Sequence, residues 1–403
     1  MNAESNGGTL VDELTRRGVR MEDPGSVHIG RDVDPGRIAP GTVLHPGCRV
    51  TGPSTSIGPD CTLGAEGPVA LHNVRLGRGV RIASGSATDA VMLDGASMGP
   101  QAQVRAGTLI EEQAGGAHAV GLKQTVLLPF VTLGSLINFC DVLMAGGTSR
   151  RHHSEVGSSY IHFNFTPHQD KATPSLIGDV PRGVMLDQPP IFLGGQGGLV
   201  GPRRIAFGTV IAAGCICRED VTECGQLVVP AQPQARSRSY DPARFGELGP
   251  RIAANYGFIG NLLALRVWYA RVRAVFTAGA EYAEACRVGA LELLDGAFEE
   301  RVKRLRQLAA KVGAAPRDRH QRAFAEGWAS REDALRAFRS GLEQMPEPGG
   351  ALGEVLDAAD RETPYIEAVR GWPEAARSAG TEWLDGIVAS VMDIGTTEDR
   401  NHG

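Results

Sequence analysis

The chain has 403 residues, 22% of them charged and 42% apolar, with a net charge of −5. That length holds more than one domain, and the balance excludes both a strong basic field for nucleic acid and a mostly disordered chain. No stretch reaches the ~20 consecutive apolar residues of a membrane-spanning helix, and the polar opening MNAESNGGTLVDEL does not read as a secretory leader.

Seven scattered cysteines, an odd number, fit reduced thiols and a cytoplasmic location. The C-x-C-x6-C spacing of Cys215, Cys217 and Cys224 is not that of a zinc site, and no metal is expected. Of the 53 glycines, 37 fall in residues 1–250, so the two halves follow different rules.

Residues 1–26 read as an N-terminal, partly helical segment. Over 27–224 apolar residues then recur every six positions. Ile38, Leu44 and Val50 form one run, and Ile57, Leu63 and Val69 the next. Met92, Met98, Val104 and Ile110 follow, then Leu193, Leu199, Ile205, Ile211 and Cys217. Such a period is neither that of a helix nor that of a hairpin strand. It suits a parallel β-helix whose coils each have three short faces, the apolar residue pointing inward and a following glycine or small residue turning the corner.

AGGTSRRHHS reads as a loop leaving the coils near 145–155. Residues 225–250 lack periodicity and read as a linker. The remainder, 251–403, is rich in Ala, Leu, Arg and Glu and predicts an α-helical domain. Its helices are expected over Ile252–Val312, Arg317–Gln344, Gly353–Arg370 and Pro373–Met392, with Trp268 and Tyr269 in the core.

Four segments in order carry a family resemblance: VRAGTLIEEQAGGAHAVGLKQT, LGSLINFCD, VGSSYIHFNFTPHQDKATPSLIGD and FGTVIAAGCICRED. They resemble the hexapeptide-repeat acyltransferases with a left-handed parallel β-helix. The likeness is closest to the acetyltransferase half of the bifunctional N-acetylglucosamine-1-phosphate uridylyltransferase/glucosamine-1-phosphate acetyltransferases. The whole chain is also similar to bacterial proteins labelled UDP-N-acetylglucosamine pyrophosphorylase.

The resemblance implies that Arg105, Lys123 and Lys171 bind a substrate phosphate. It puts Asn138 at the place of a substrate-binding Tyr, and Asn164, Phe165, Ala212 and Ala213 beside acetyl-CoA or another acyl-CoA. It also implies a homotrimer acting on small molecules. Ser135 stands where the family has its catalytic His. The family's uridylyltransferase half has no counterpart here.

Acyl transfer to an amine needs a base, donors for the oxyanion and a hold on the substrate's charge. Arg105 can grip a phosphate in a fork and Lys123 as a point charge. Ser135 is no base without an activating partner. His118, His152, His153, His162 and His168 are therefore weighed, and His153 and His152 are favoured because they sit in an added hexapeptide beside Arg150 and Arg151. The glycines of FLGGQGGLVGP suit corners better than a phosphate loop, since no strand-to-helix junction follows them.

The expected function is an acyl-CoA-dependent transferase on an amino-sugar phosphate or related aminated metabolite. Two alternatives stand beside it: sugar-nucleotide (UDP-sugar) synthesis or binding, and a non-catalytic β-helix assembly protein. The helical part could serve as a cap, a trimer brace or a docking domain.

Overall fold

A computed structural model describes residues 7–161, 171–229 and 247–396, with residues 231, 234, 235, 237 and 245. Asn164, Phe165, His162, His168 and much of the expected linker lie outside the described residues. After a short helix α1 (Gly7–Arg16) the chain winds into a left-handed parallel β-helix. One sheet of 11 strands, from Arg20–Met21 to Leu227–Val228, forms the third face of the triangle. A sheet of 14 strands forms the other two. Its long strands Val69–Leu76, Gly85–Met92, Val120–Leu127 and Ile137–Met144 run along the first face, kink, and continue along the second. Every residue of the six-residue runs is buried in the interior column.

Glycine turns many of the corners, as expected, with positive φ at Gly41, Gly52, Gly79, Gly95, Gly107, Gly208 and Gly214, and other residues turn the rest. The kink at the first corner is made by Asn73, Asp89, Gln124 and Asp141, at φ of 51°, 45°, 50° and 56°. Gln113 and Phe130 turn the second corner, and Gln101, Ala119 and Leu136 the third, all with positive φ. A side chain in this region costs roughly 1–2 kcal/mol. Hydrogen bonds between stacked coils hold these residues there: Gln113 N donates to Asp94 O, Ala119 N to Pro100 O and Leu136 N to His118 O. Glycine and the stack together fix the corners.

Two coils are long, those joining Thr132 to its partner Glu155 and Glu155 to its partner Phe192. The first carries an antiparallel hairpin, Gly147–Ser149 against His152–His153. The second carries the helical turn α2 (Val180–Gly183).

The second face explains the helical part. Its inward residues alternate with Val91, Leu109, Val126, Leu143 and Leu176, which point outward and are nevertheless buried. A strand buried on both sides needs a cover. Helices α3 (Gly249–Arg271) and α5 (Glu281–Ala314), joined by α4 (Arg273–Thr277), supply it.

Tyr282 Oη donates to Gly36 O, Gly289 faces Arg75, and Arg301 pairs with Asp141. α5 thus runs along the solenoid axis. From Tyr282 to Arg301 it rises roughly 28 Å, matching the roughly 29 Å of six coil steps from Ile38 to Met144.

The helices α6 (Arg319–Glu326), α7 (Trp328–Gly341), α8 (Gly350–Asp357), α9 (Tyr365–Gly371) and α10 (Glu374–Thr396) complete the layer. The sequence suggests longer pieces. Gly279, at φ 81°, breaks the first. An Asp360-anchored turn followed by Pro364 separates α8 from α9, since proline disfavours a helical residue before it. Trp268 and Tyr269 are core residues. No helix among the described residues is long and apolar enough to cross a membrane.

Candidate functional site

On the first face alternate side chains point to solvent. Val104 pairs with Leu122, Gly121 with Asn138, and Lys123 with Cys140. Arg105 and Lys123, each one residue beyond a paired position, stand side by side on neighbouring coils, their Cα atoms roughly 4.8 Å apart. Both are exposed, as is Asn138 beside them. Among the described residues neither cation has a carboxylate partner; Arg105 Nη2 reaches only the Cys140 Sγ, at 4.0 Å. Like charges in register on adjacent strands are destabilising. Burial pushes the Cys140 thiol up despite both cations, so the sulfur is a neutral floor to the pair and not a nucleophile. Arg301 donates to Asp141 and to Lys171 O, which places the Lys171 backbone beside the first corner.

Ser135 lies half-buried at the third corner, next to Leu136, which is 57% exposed. Ala212 and Ala213 stack over Gly194 and Gly195 further along that corner, through Gly194 N to Ile211 O and Gly214 N to Gly195 O. A Cβ at Gly194 would lie 2.3 Å from Ala213 N, so this glycine serves coil stacking. The amides of Gly194, Gly197 and Gly198 are spent on Ile211 O, Ser159 Oγ and Cys215 O, which leaves none of these three for a phosphate.

The hairpin stands at the second corner. Arg150 Nη1 donates to Gln113 O, Phe130 O and Thr132 Oγ1 at 2.9, 3.2 and 2.8 Å, which clamps the hairpin to the coils. His153 Nδ1 donates to Arg150 O at 2.9 Å, and its Nε2 lies 3.8 Å from Glu155. His152 is exposed. The hairpin does not fold back over the cations: within one chain neither imidazole meets Arg105 and Lys123, which lie on a different side of the triangle.

A second polar centre escapes sequence reading. Glu111, fully buried at the second corner, accepts from Tyr269 Oη at 2.7 Å and from Arg273 Nη2 at 2.8 Å. Arg273 also grips Glu112 with both Nη atoms and stacks on the Tyr365 ring at 3.9 Å. Burial raises the Glu111 carboxyl to about 7, against the pull of Arg273. This network floors a cavity of about 660 Å³ between the second corner, the hairpin and the start of α5. The only local signal is a Glu–Glu pair placed directly after the apolar strand Thr108–Ile110; its partners lie some 160 residues away.

No protein-family profile matches the chain. Among curated proteins it is 28% identical over 229 residues to the bifunctional protein GlmU of Pelobacter propionicus, covering 57% of this chain and 44% of that protein. Against GlmU of Thermotoga petrophila it is 26% identical over 211 residues, 52% of this chain and 42% of the relative. GlmU of Mycolicibacterium smegmatis is 28% identical over 225 residues, 56% and 42% respectively.

The chain is homologous to the bifunctional GlmU proteins. It spans less than half the length of these GlmU relatives.

Proposed function

We propose that the chain is an acyl-CoA-dependent acyltransferase whose acceptor is a phosphorylated amino sugar or a related aminated metabolite. The supporting observation is the pair Arg105 and Lys123, two exposed cations in register with no carboxylate partner among the described residues. A bound phosphate relieves their repulsion, taken in a fork by Arg105 and as a point charge by Lys123. Asn138 adds an amide beside them, and Lys171 a third cation.

The exposed, small Ala213 and the half-exposed Ala212 leave room for the arm of an acyl-CoA. In the reaction the acceptor amine attacks the thioester carbonyl and the C–S bond breaks. The thiol leaves, and a base takes the amine proton. Among the described residues Ser135 has no partner that would make it that base. His153, through Nε2, or His152 would reach the cations only from a neighbouring chain, which belongs with a homotrimer of solenoids.

Lys123→Ala is expected to weaken binding of glucosamine 1-phosphate by about 10–150-fold, the equivalent of roughly 1.5–3 kcal/mol for a charged hydrogen bond, with a melting temperature that does not fall. Titration calorimetry measures this, and unaltered affinity would reduce Lys123 to a surface cation. The double change His152→Ala, His153→Ala is expected to lower acetyl-CoA turnover by roughly 10²–10⁴, and Ser135→Ala much less. Normal turnover in the double variant together with loss in Ser135→Ala would reverse the assignment. Thermal shifts with acetyl-CoA, UTP and UDP-sugars test the class: stabilisation by UTP alone would favour nucleotidyl transfer.

A further inference from the structure

None of the four segments that carry the family resemblance lies in the helical part, yet that part reaches the neighbourhood of the cations. The strand Ile137–Met144 carries Asn138 and Cys140 on the first face and turns at Asp141, φ 56°. Cys140 is the register partner of Lys123. Asp141, 5% exposed, is closed over by Arg301 of α5, itself 2% exposed. The same guanidinium donates through Nη1 to Lys171 O at 3.5 Å. One buried side chain from the helices therefore joins the end of the Asn138–Cys140 run to the backbone of Lys171.

α3 holds the next residue. Asn255, fully buried, donates through Nδ2 to Ala172 O at 2.9 Å. Its own Oδ1 is buried with no partner among the described residues, a cost that an apolar side chain would avoid. Ala172 and Thr173 are buried, and Ser175–Ile177 then joins the second face against Val142–Met144. Lys171 is thus the exposed residue at which the chain goes under the helices. Among the described residues no carboxylate pairs with its ammonium.

A long side chain that grips an anion loses rotamer freedom, and the loss is larger when its backbone must be ordered as well. We propose that Arg301 and Asn255 are positioning residues of the acceptor site, fixing the Lys171 backbone so that its ammonium meets the phosphate held by Arg105 and Lys123. The helical layer is then a working part of that site as well as a cover for the second face. This rests on the reading of Arg105 and Lys123 as the acceptor's phosphate site.

A double-mutant cycle on the full chain, read by calorimetric titration with glucosamine 1-phosphate, tests it. Lys171→Ala is expected to weaken binding by about tenfold, as loss of a charged hydrogen bond does. Asp141→Asn with Arg301→Gln removes both buried charges together and keeps a residue that accepts positive φ at the corner. That variant is expected to weaken binding to a similar extent, and Lys171→Ala in its background to add less than about twofold. Leu109→Ala, which loosens the same interface away from Lys171, should leave the affinity unchanged at a temperature where the fold is intact. Should the Asp141, Arg301 variant melt early, Asn255→Ala takes its place in the cycle.

Fully additive losses, unchanged affinity in the positioning variants, or an equal loss in Leu109→Ala overturns the positioning role and leaves the proposed acyltransferase standing. Lys171→Ala without effect, beside a weakened Lys123→Ala, does the same by removing Lys171 from the site. No binding of glucosamine 1-phosphate, or binding indifferent to Lys123→Ala, overturns the phosphate site and the positioning role with it.

Discussion

Arg273→Leu is expected to destabilise the protein by about 3–5 kcal/mol, the usual result of removing one partner from a buried ion pair. Arg273 is 4% exposed and is the cation that Glu111 and Glu112 share. Without it two carboxylates remain in a site where burial already disfavours charge. Urea unfolding at pH 7.5 measures the loss, and a midpoint change worth under about 0.5 kcal/mol would show that the network relaxes to water.

The same network gives a pH dependence of definite sign. The Glu111 carboxyl is raised in the fold from 4.5 to about 7. Between those values the folded chain holds a proton that the unfolded chain has released. Stability is therefore fully present below about pH 4.5 for this group and falls as pH rises through 7. Glu111→Gln should flatten that fall, and a slope unchanged in the variant would assign it to another group.

Leu109→Ala is expected to cost about 2–5 kcal/mol, as large-to-small changes in a packed core do. Leu109 is fully buried on the outward side of the second face, between Val91 and Val126, where α5 crosses. A change there strikes the boundary of solenoid and helices. Far-UV circular dichroism and the fluorescence of the four tryptophans, all in the helical part, should lose their signals together at one lowered midpoint. Two separated transitions would mean that the helical part stands alone.

Particular residues show what the sequence discloses. The solenoid is legible because Leu193, Leu199, Ile205 and Ile211 repeat an inward position at a period that no other regular structure shares. The second-face cover is half legible: Leu109–Ile110 and Val142–Met144 are apolar on consecutive positions, which implies burial on both sides, but nothing local says that α3 and α5 provide it.

Arg105 and Lys123 stand out only through the family resemblance, since two cations 18 residues apart mean nothing until the coil length is known. The hairpin's placement depends on Arg150 finding Gln113 O and Phe130 O. These are backbone acceptors and leave no mark in side-chain pattern. Glu111 and Arg273 meet only because the helices return to the coils, a long-range pairing that composition cannot encode.

The match between α5 and the coils it lines constrains how such a chain can change in length. A duplicated coil would lengthen the solenoid by roughly 4.8 Å. To keep Tyr282 and Arg301 over Gly36 and Asp141, α5 would have to grow by about three residues, which advance it roughly 4.5 Å but turn it only about 300°. Its apolar stripe would then sit some 60° off the outward row of Val91 and Leu109. Coils between Gly36 and Asp141 can thus be gained or lost only with a compensating insertion and a re-patterned stripe in α5. A repeat architecture that otherwise grows by simple duplication is held here to a fixed number of turns.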